Sequence, residues 1–151
     1  IHEGVQQVQR IYDALGAGDP VLLFAEGTSD IGTHVLPFKS ALIGAAEKAM
    51  NRTGGENIAI QPVAIAYTAI SGLSLSRHER DKIAWIGDMG LGDNLGAILG
   101  SGPKSIAIAF GAPLPVAGDR KALTRRVETR VRQMLVALNR HEKDLPAVAG
   151  A

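Results

Sequence analysis

The 151-residue chain contains no cysteine. That excludes a disulfide framework and thiolate metal sites, and it is compatible with a reducing compartment. No apolar run reaches the roughly 18 residues that a membrane-spanning helix needs, and no signal-peptide pattern is present. Neither sign of charge prevails: 16 Lys and Arg face 15 Asp and Glu, for a net charge of +1. Overall charge therefore gives no reason to expect nucleic acid or another polyanion as partner. The chain is 46% apolar and 21% charged, the balance of a folded domain rather than a disordered one. Its length suits one domain with a sizeable core. Residues 1–143 are read as that domain and 144–151 as a frayed tail. Ile1 falls inside what already reads as a helix, so the expectation is the C-terminal part of a longer protein.

Val5, Val8, Ile11, Tyr12 and Leu15 recur at helical spacing, which predicts an amphipathic helix over residues 2–15. Gly16-Ala17-Gly18-Asp19-Pro20 should stop it, with a glycine cap and a proline beyond. The run Val21-Leu22-Leu23-Phe24 reads as a buried strand ending in Ala25-Glu26-Gly27-Thr28-Ser29-Asp30. Ligands in α/β folds sit outside strand ends of this kind. Pro37 suits a first helical position, and Phe38, Leu42, Ala45 and Ala49 then form one face of a helix. That face is mostly small, which lets the helix lie close to a sheet. Residues 58–60 and 63–67 read as one strand broken at Gln61-Pro62, because proline cannot donate to a ladder.

Residues 71–82 read as a polar surface loop, and Ile83-Ala84-Trp85-Ile86-Gly87 as a short strand. Leu91, Leu95, Ile98 and Leu99 suggest a short helix, and residues 105–110 a further strand. Asp119 is the predicted N-cap of a last helix with Leu123, Val127, Val131, Met134, Leu135 and Leu138 on its apolar face. The alternation of elements predicts an α/β domain with a mainly parallel or mixed sheet flanked by helices.

Phe24-Ala25-Glu26-Gly27-Thr28-Ser29, then Leu36-Pro37-Phe38-Lys39-Ser40, then Gln61-Pro62-Val63-Ala64-Ile65 occur in the order and spacing of three family blocks. Together they resemble the glycerolipid acyltransferases that make phosphatidic acid from lysophosphatidic acid. The stretch Ala84-Trp85-Ile86-Gly87-Asp88-Met89 is similar to the bacterial branch that includes lyso-ornithine lipid acyltransferases. The resemblance covers roughly residues 20–140 and implies a glycerolipid acyltransferase-like fold, N-terminally truncated. It implies acyl transfer from an acyl thioester, acyl-ACP or acyl-CoA, to a lysolipid hydroxyl, with no cofactor and no metal. The partners implied are the lysolipid, the acyl carrier protein or CoA thioester, and a membrane surface, with the protein on its cytoplasmic face. The residues implied to hold the acceptor are Glu26, Gly27, Thr28, Ser29 and Lys39, with Pro37, Phe38 and Pro62 shaping the site.

Two departures narrow that implication. The family's H-x4-D block supplies a His general base and an orienting Asp, and acyl transfer to a hydroxyl needs such a base within reach. Five residues after His2, His34, His78 and His141 stand Gln7, Lys39, Ile83 and Pro146, so no catalytic residue is assigned in this chain. The His/Asp pair is expected upstream, and the chain by itself is expected to be inactive. The family's Arg after E-G-T, which helps hold an acceptor phosphate, is Ser29 here, followed by Asp30. Loss of the guanidinium favours an acceptor without a phosphomonoester, such as a lyso-ornithine lipid.

Other readings stand beside this one. Taken without the resemblance, Glu26 is a capping or solvated carboxylate, Gly27 and Thr28 form a turn, and Lys39 is a solvated charge. Residues 119–143 carry eight Lys or Arg against three acids, and a basic amphipathic helix can lie on an anionic membrane, although core packing with a solvated back explains it as well. Gly90, Gly92 and Gly96 follow a strand-like run, but their spacing is one residue too long for a dinucleotide-binding turn. A non-catalytic lipid-binding role is the remaining alternative.

Overall fold

In the computed structural model, residues 2–28, 32–53, 58–75 and 102–141 are described. Among them the elements are α1 (His2–Gly16), α2 (Ser40–Thr53), β1 (Ala59–Ile60), β2 (Val63–Ile70), β3 (Leu73–Ser74), β4 (Lys104–Phe110), β5 (Leu114–Pro115) and α3 (Arg120–Asn139). The chain divides into two compact units, residues 1–27, 37–62 and 112–129 in the first and 28–36, 63–111 and 130–151 in the second.

In the first unit, the apolar stripe of α1 meets α2. Ile11 packs with Leu42 and Ala45, and Val8, Leu15, Val21 and Leu23 close around them. Ala45 and Ala49 are fully buried. Part of the small-residue face of α2 thus serves packing against a helix, not against a sheet as the sequence predicted. The end of α1 follows its sequence: the Gly18 amide donates to the Leu15 carbonyl and the Asp19 amide to the Ala14 carbonyl, with Gly18 at φ 86°. This paired closure around a left-handed glycine satisfies carbonyls the helix would leave bare, and Pro20 follows directly.

Residues 21–24 form no strand ladder among the described residues. Their burial still alternates as in an extended chain, with Val21 and Leu23 against the helices and Leu22 and Phe24 exposed. The predicted strand is present as a shape, without a paired neighbour among the described residues.

α2 begins at Ser40, three residues after the predicted first position at Pro37. The Phe38 and Lys39 amides go to Glu128 and Ala25, and the Lys39 carbonyl accepts the Leu42 amide at the helix start. The break at Gln61-Pro62 is real. β1 pairs with β5 antiparallel (Ala59↔Pro115, Ile60↔Leu114), whereas β2 belongs to another sheet, and Pro62 between them is fully buried.

Asp119 caps α3 as its side-chain type predicts. Its carboxylate accepts the Ala122 amide at 2.8 Å and its carbonyl accepts the Leu123 amide at 2.9 Å. Leu123 and Val127 are buried, and the buried Thr124 hydroxyl is satisfied by the Arg120 carbonyl at 2.8 Å. Gly44 in α2 lies against the Arg120 side chain, where an added Cβ would come within 2.5 Å of the Arg120 Cδ.

Among the described residues, the second unit has three sheet strands in the order β3-β2-β4, all paired antiparallel. β2 reaches Ile70 and returns through Ser71 and Gly72 at φ 50° and 80° into β3. Two successive left-handed residues make the tight hairpin turn whose twist suits strands, so the polar loop predicted from residue 71 begins instead as a hairpin. Between β2 and β4, Ala64↔Ala109 and Ala66↔Ala107 share one face, and Val63↔Phe110, Ile65↔Ile108 and Tyr67↔Ile106 the other. Ala64, Ala66 and Ala109 are buried, and so are Met134, Leu135 and Ala137 in the second half of α3.

The fold is thus a mix of helices and small antiparallel sheets. All described pairings are antiparallel, where a mainly parallel or mixed sheet was predicted; the Ser71-Gly72 hairpin accounts for the β2–β3 pair. The predicted strand at 83–87, the helix near 91–99 and the tail at 144–151 lie outside the described residues.

The cap gives a stability test. Asp119→Ala should lower the unfolding free energy by about 1 kcal/mol, with Asp119→Asn recovering most of it. Urea denaturation, read as a shift of midpoint at constant slope, measures both.

Candidate acceptor site

The site residues in the first unit gather around one turn. The chain leaves residues 21–24 and reverses at once, with the Gly27 amide donating to the Phe24 carbonyl at 3.1 Å. Gly27 adopts φ 67°. A side chain at that angle would push its Cβ toward the following carbonyl, so glycine is the residue that closes this turn without strain. Ala25 is buried beneath the turn, Glu26 is half-buried and Gly27 is exposed.

A second stretch is tied to the first. The Lys39 amide donates to the Ala25 carbonyl at 2.8 Å. The Lys39 side chain then passes directly over Gly27: a Cβ built on Gly27 would lie 2.5 Å from Nζ and 2.7 Å from Cε. The absent side chain at Gly27 therefore leaves room for an ammonium group at the surface of the turn. The sequence predicted Gly27 and Lys39 in the same site, and the structure brings them into contact.

Phe38, one residue earlier, is half-buried, and its amide donates to a carboxylate oxygen of Glu128 at 3.0 Å. Sequence reasoning missed Glu128, which entered only as one acid on a basic helix. The available signal was its isolation, since it is the sole acid between Arg120 and Asn139. Pro37 is exposed before the helix, and Pro62 is buried in the same unit. Thr28 is exposed and begins the second unit, and Ser29 lies outside the described residues.

Of the histidines, His34 occupies an exposed turn with Thr33 Oγ1 3.2 Å from its Nδ1. His141 stands exposed after α3 at φ 56°, where its amide donates to the Leu138 carbonyl at the helix end at 3.1 Å. His78 lies outside the described residues. Among the described residues, no three His, Asp or Glu come together as a metal would require. The turn offers a carboxylate, an ammonium and exposed backbone, groups that can bind charged and polar partners.

Gly27→Ala should cost about 1–2 kcal/mol through the left-handed backbone alone, because the Lys39 side chain can swing aside. Urea unfolding gives the cost, and a change in the Lys39 side-chain NMR signals reports the displacement.

No protein-family model matches the chain, and no solved structure matches it. Curated proteins do. The chain is 46% identical over 133 residues to the lyso-ornithine lipid O-acyltransferase of Brucella abortus, covering 87% of this chain and 50% of that protein. It is 36% identical over 131 residues to the protein of the same name from Rhizobium meliloti, covering 85% and 45%. With that from Pseudomonas aeruginosa it shares 32% over 133 residues, covering 84% and 45%. The chain spans about half the length of the curated relatives it matches. Over most of its own length, then, the chain is a homologue of the lyso-ornithine lipid O-acyltransferases.

Proposed function

We propose that the chain forms the acceptor-binding part of an O-acyltransferase that acts on lyso-ornithine lipid. The observation that carries this reading is the 46% identity to the Brucella protein. A match over 87% of the chain necessarily includes the Gly27 turn and the Lys39 segment.

In the reaction, the lysolipid hydroxyl oxygen attacks the carbonyl carbon of an acyl thioester, acyl-ACP or acyl-CoA. The ester C–O bond forms, the C–S bond breaks, and the hydroxyl proton ends on the departing thiol. A general base must take that proton, and this chain's sequence has no H-x4-D pair to do so. Its own residues bind and orient. Lys39, over Gly27, supplies a cation for the carboxylate of an ornithine headgroup. Glu26, at the same turn, is suited to that headgroup's ammonium. Ser29, in place of an arginine, leaves a phosphomonoester less well matched.

A lipid acceptor requires that the site meet a membrane surface, and we place it at the cytoplasmic face. Among the described residues no helix is long and apolar enough to cross a membrane. The lack of a base in the sequence also favours a narrower reading for the 151-residue chain by itself, lipid binding without transfer.

Acyl transfer by the full-length protein to lyso-ornithine lipid and to lysophosphatidic acid tests the proposal. Lyso-ornithine lipid should have the higher kcat/KM, and a preference for lysophosphatidic acid contradicts the reading of Ser29. Lys39→Ala should raise the acceptor KM by about tenfold or more, the loss of a charge-assisted contact of roughly 1.5–3 kcal/mol. Lys39→Arg should retain most of the affinity.

A further inference from the structure

Residues 37–39 are fixed by two consecutive amides that point to different places. Lys39 N–H goes to the Ala25 carbonyl at 2.8 Å, on the chain that makes the turn. Phe38 N–H goes to Glu128 Oε2 at 3.0 Å, on α3, 90 positions away in sequence. The two anchored amides belong to successive peptide planes, Pro37–Phe38 and Phe38–Lys39, so together they fix the backbone at Phe38 and with it the direction in which the chain enters Lys39. The side chain then lies over Gly27.

Glu128 is an unusual residue to find at this contact. α3 carries six Lys or Arg and this single acid. Its hydrogen bond to Phe38 is partly buried, and desolvating a carboxylate costs free energy unless strong partners replace water. The Phe38 N–H is such a partner, and because it donates to an ionised acceptor the bond is stronger than one to a neutral group. From this we infer that Glu128 is a positioning residue of the acceptor site: it holds Phe38 so that Lys39 stays over the Gly27 turn. The role rests on the proposed acyltransferase function. Glu128 itself need not touch the lipid, because its effect passes through the Phe38–Lys39 peptide.

The test uses the full-length protein with Glu128→Ala and Glu128→Gln, alone and combined with Lys39→Ala. Glu128→Ala should raise the acceptor KM by about tenfold with kcat nearly unchanged. Glu128→Gln, whose amide oxygen still accepts from Phe38, should recover most of that loss. In the Lys39→Ala background, Glu128→Ala should add little to KM, because the group it positions is gone. Amide exchange at Phe38 and Lys39 should quicken in Glu128→Ala and slow again in Glu128→Gln. Additive effects of Glu128→Ala and Lys39→Ala on KM, or an unchanged KM in a variant whose urea midpoint has dropped, overturn the positioning role. Wild-type protein that transfers no acyl group to lyso-ornithine lipid overturns the functional reading instead, and the exchange rates separate that failure from failure of the Phe38 contact.

Discussion

The hydrogen bond from the Lys39 amide to the Ala25 carbonyl joins two stretches that the chain separates by a dozen residues. Everything specific about the site follows from that bond. It ties the residue just before α2 to the turn, and the Lys39 side chain lies across Gly27. The left-handed backbone of Gly27 is the complementary condition, since no bulkier residue closes the turn without strain. One backbone bond and one glycine thus bring an apolar segment and a helix entry together at a turn with an ammonium group over it.

The surroundings give this turn a firm base. Ala25 is buried under it, and Val21 and Leu23 seat the approaching chain on the cluster formed by α1 and α2. Ala45, buried in that cluster, lets the two helices come together closely. Gly44, one residue away, admits the Arg120 side chain at the start of α3, and Glu128 on the same helix reaches Phe38. The packing that stabilises the first unit is therefore continuous with the contacts that orient Lys39. A binding site made from short loops gains its definition from such neighbours rather than from its own few hydrogen bonds.

Much of this was legible in the sequence wherever a local rule decides the outcome. The end of α1 followed from Gly18 and Pro20, the start of α3 from Asp119, and the break before β2 from Pro62. Each depends on a backbone property of one residue type. The grouping of Gly27 with Lys39 followed from block order. What the sequence did not disclose depends on distant partners. The Glu128 contact spans 90 positions and leaves no periodic trace. Pro37 misled because its fixed φ suits a helix start, yet the helix begins only at Ser40, with the two following amides bonded to Glu128 and Ala25. The turn at Ser71-Gly72 was hidden because Ser is an uncommon first residue for a double left-handed turn. The sequence left the sheet as mainly parallel or mixed for a related reason: strand direction is set by connections and tertiary pairing, not by the apolar pattern of each strand.

The central claim is that the Gly27 turn and Lys39 hold the headgroup of the acceptor. Photo-crosslinking of the full-length protein with a lyso-ornithine lipid that carries a photoactivatable group on its headgroup tests it most directly. Peptide mapping by mass spectrometry should place the label within residues 24–28 and 37–39, and excess unlabelled lipid should remove it. Label confined to other segments, or label at these positions that excess lipid does not displace, would contradict the account.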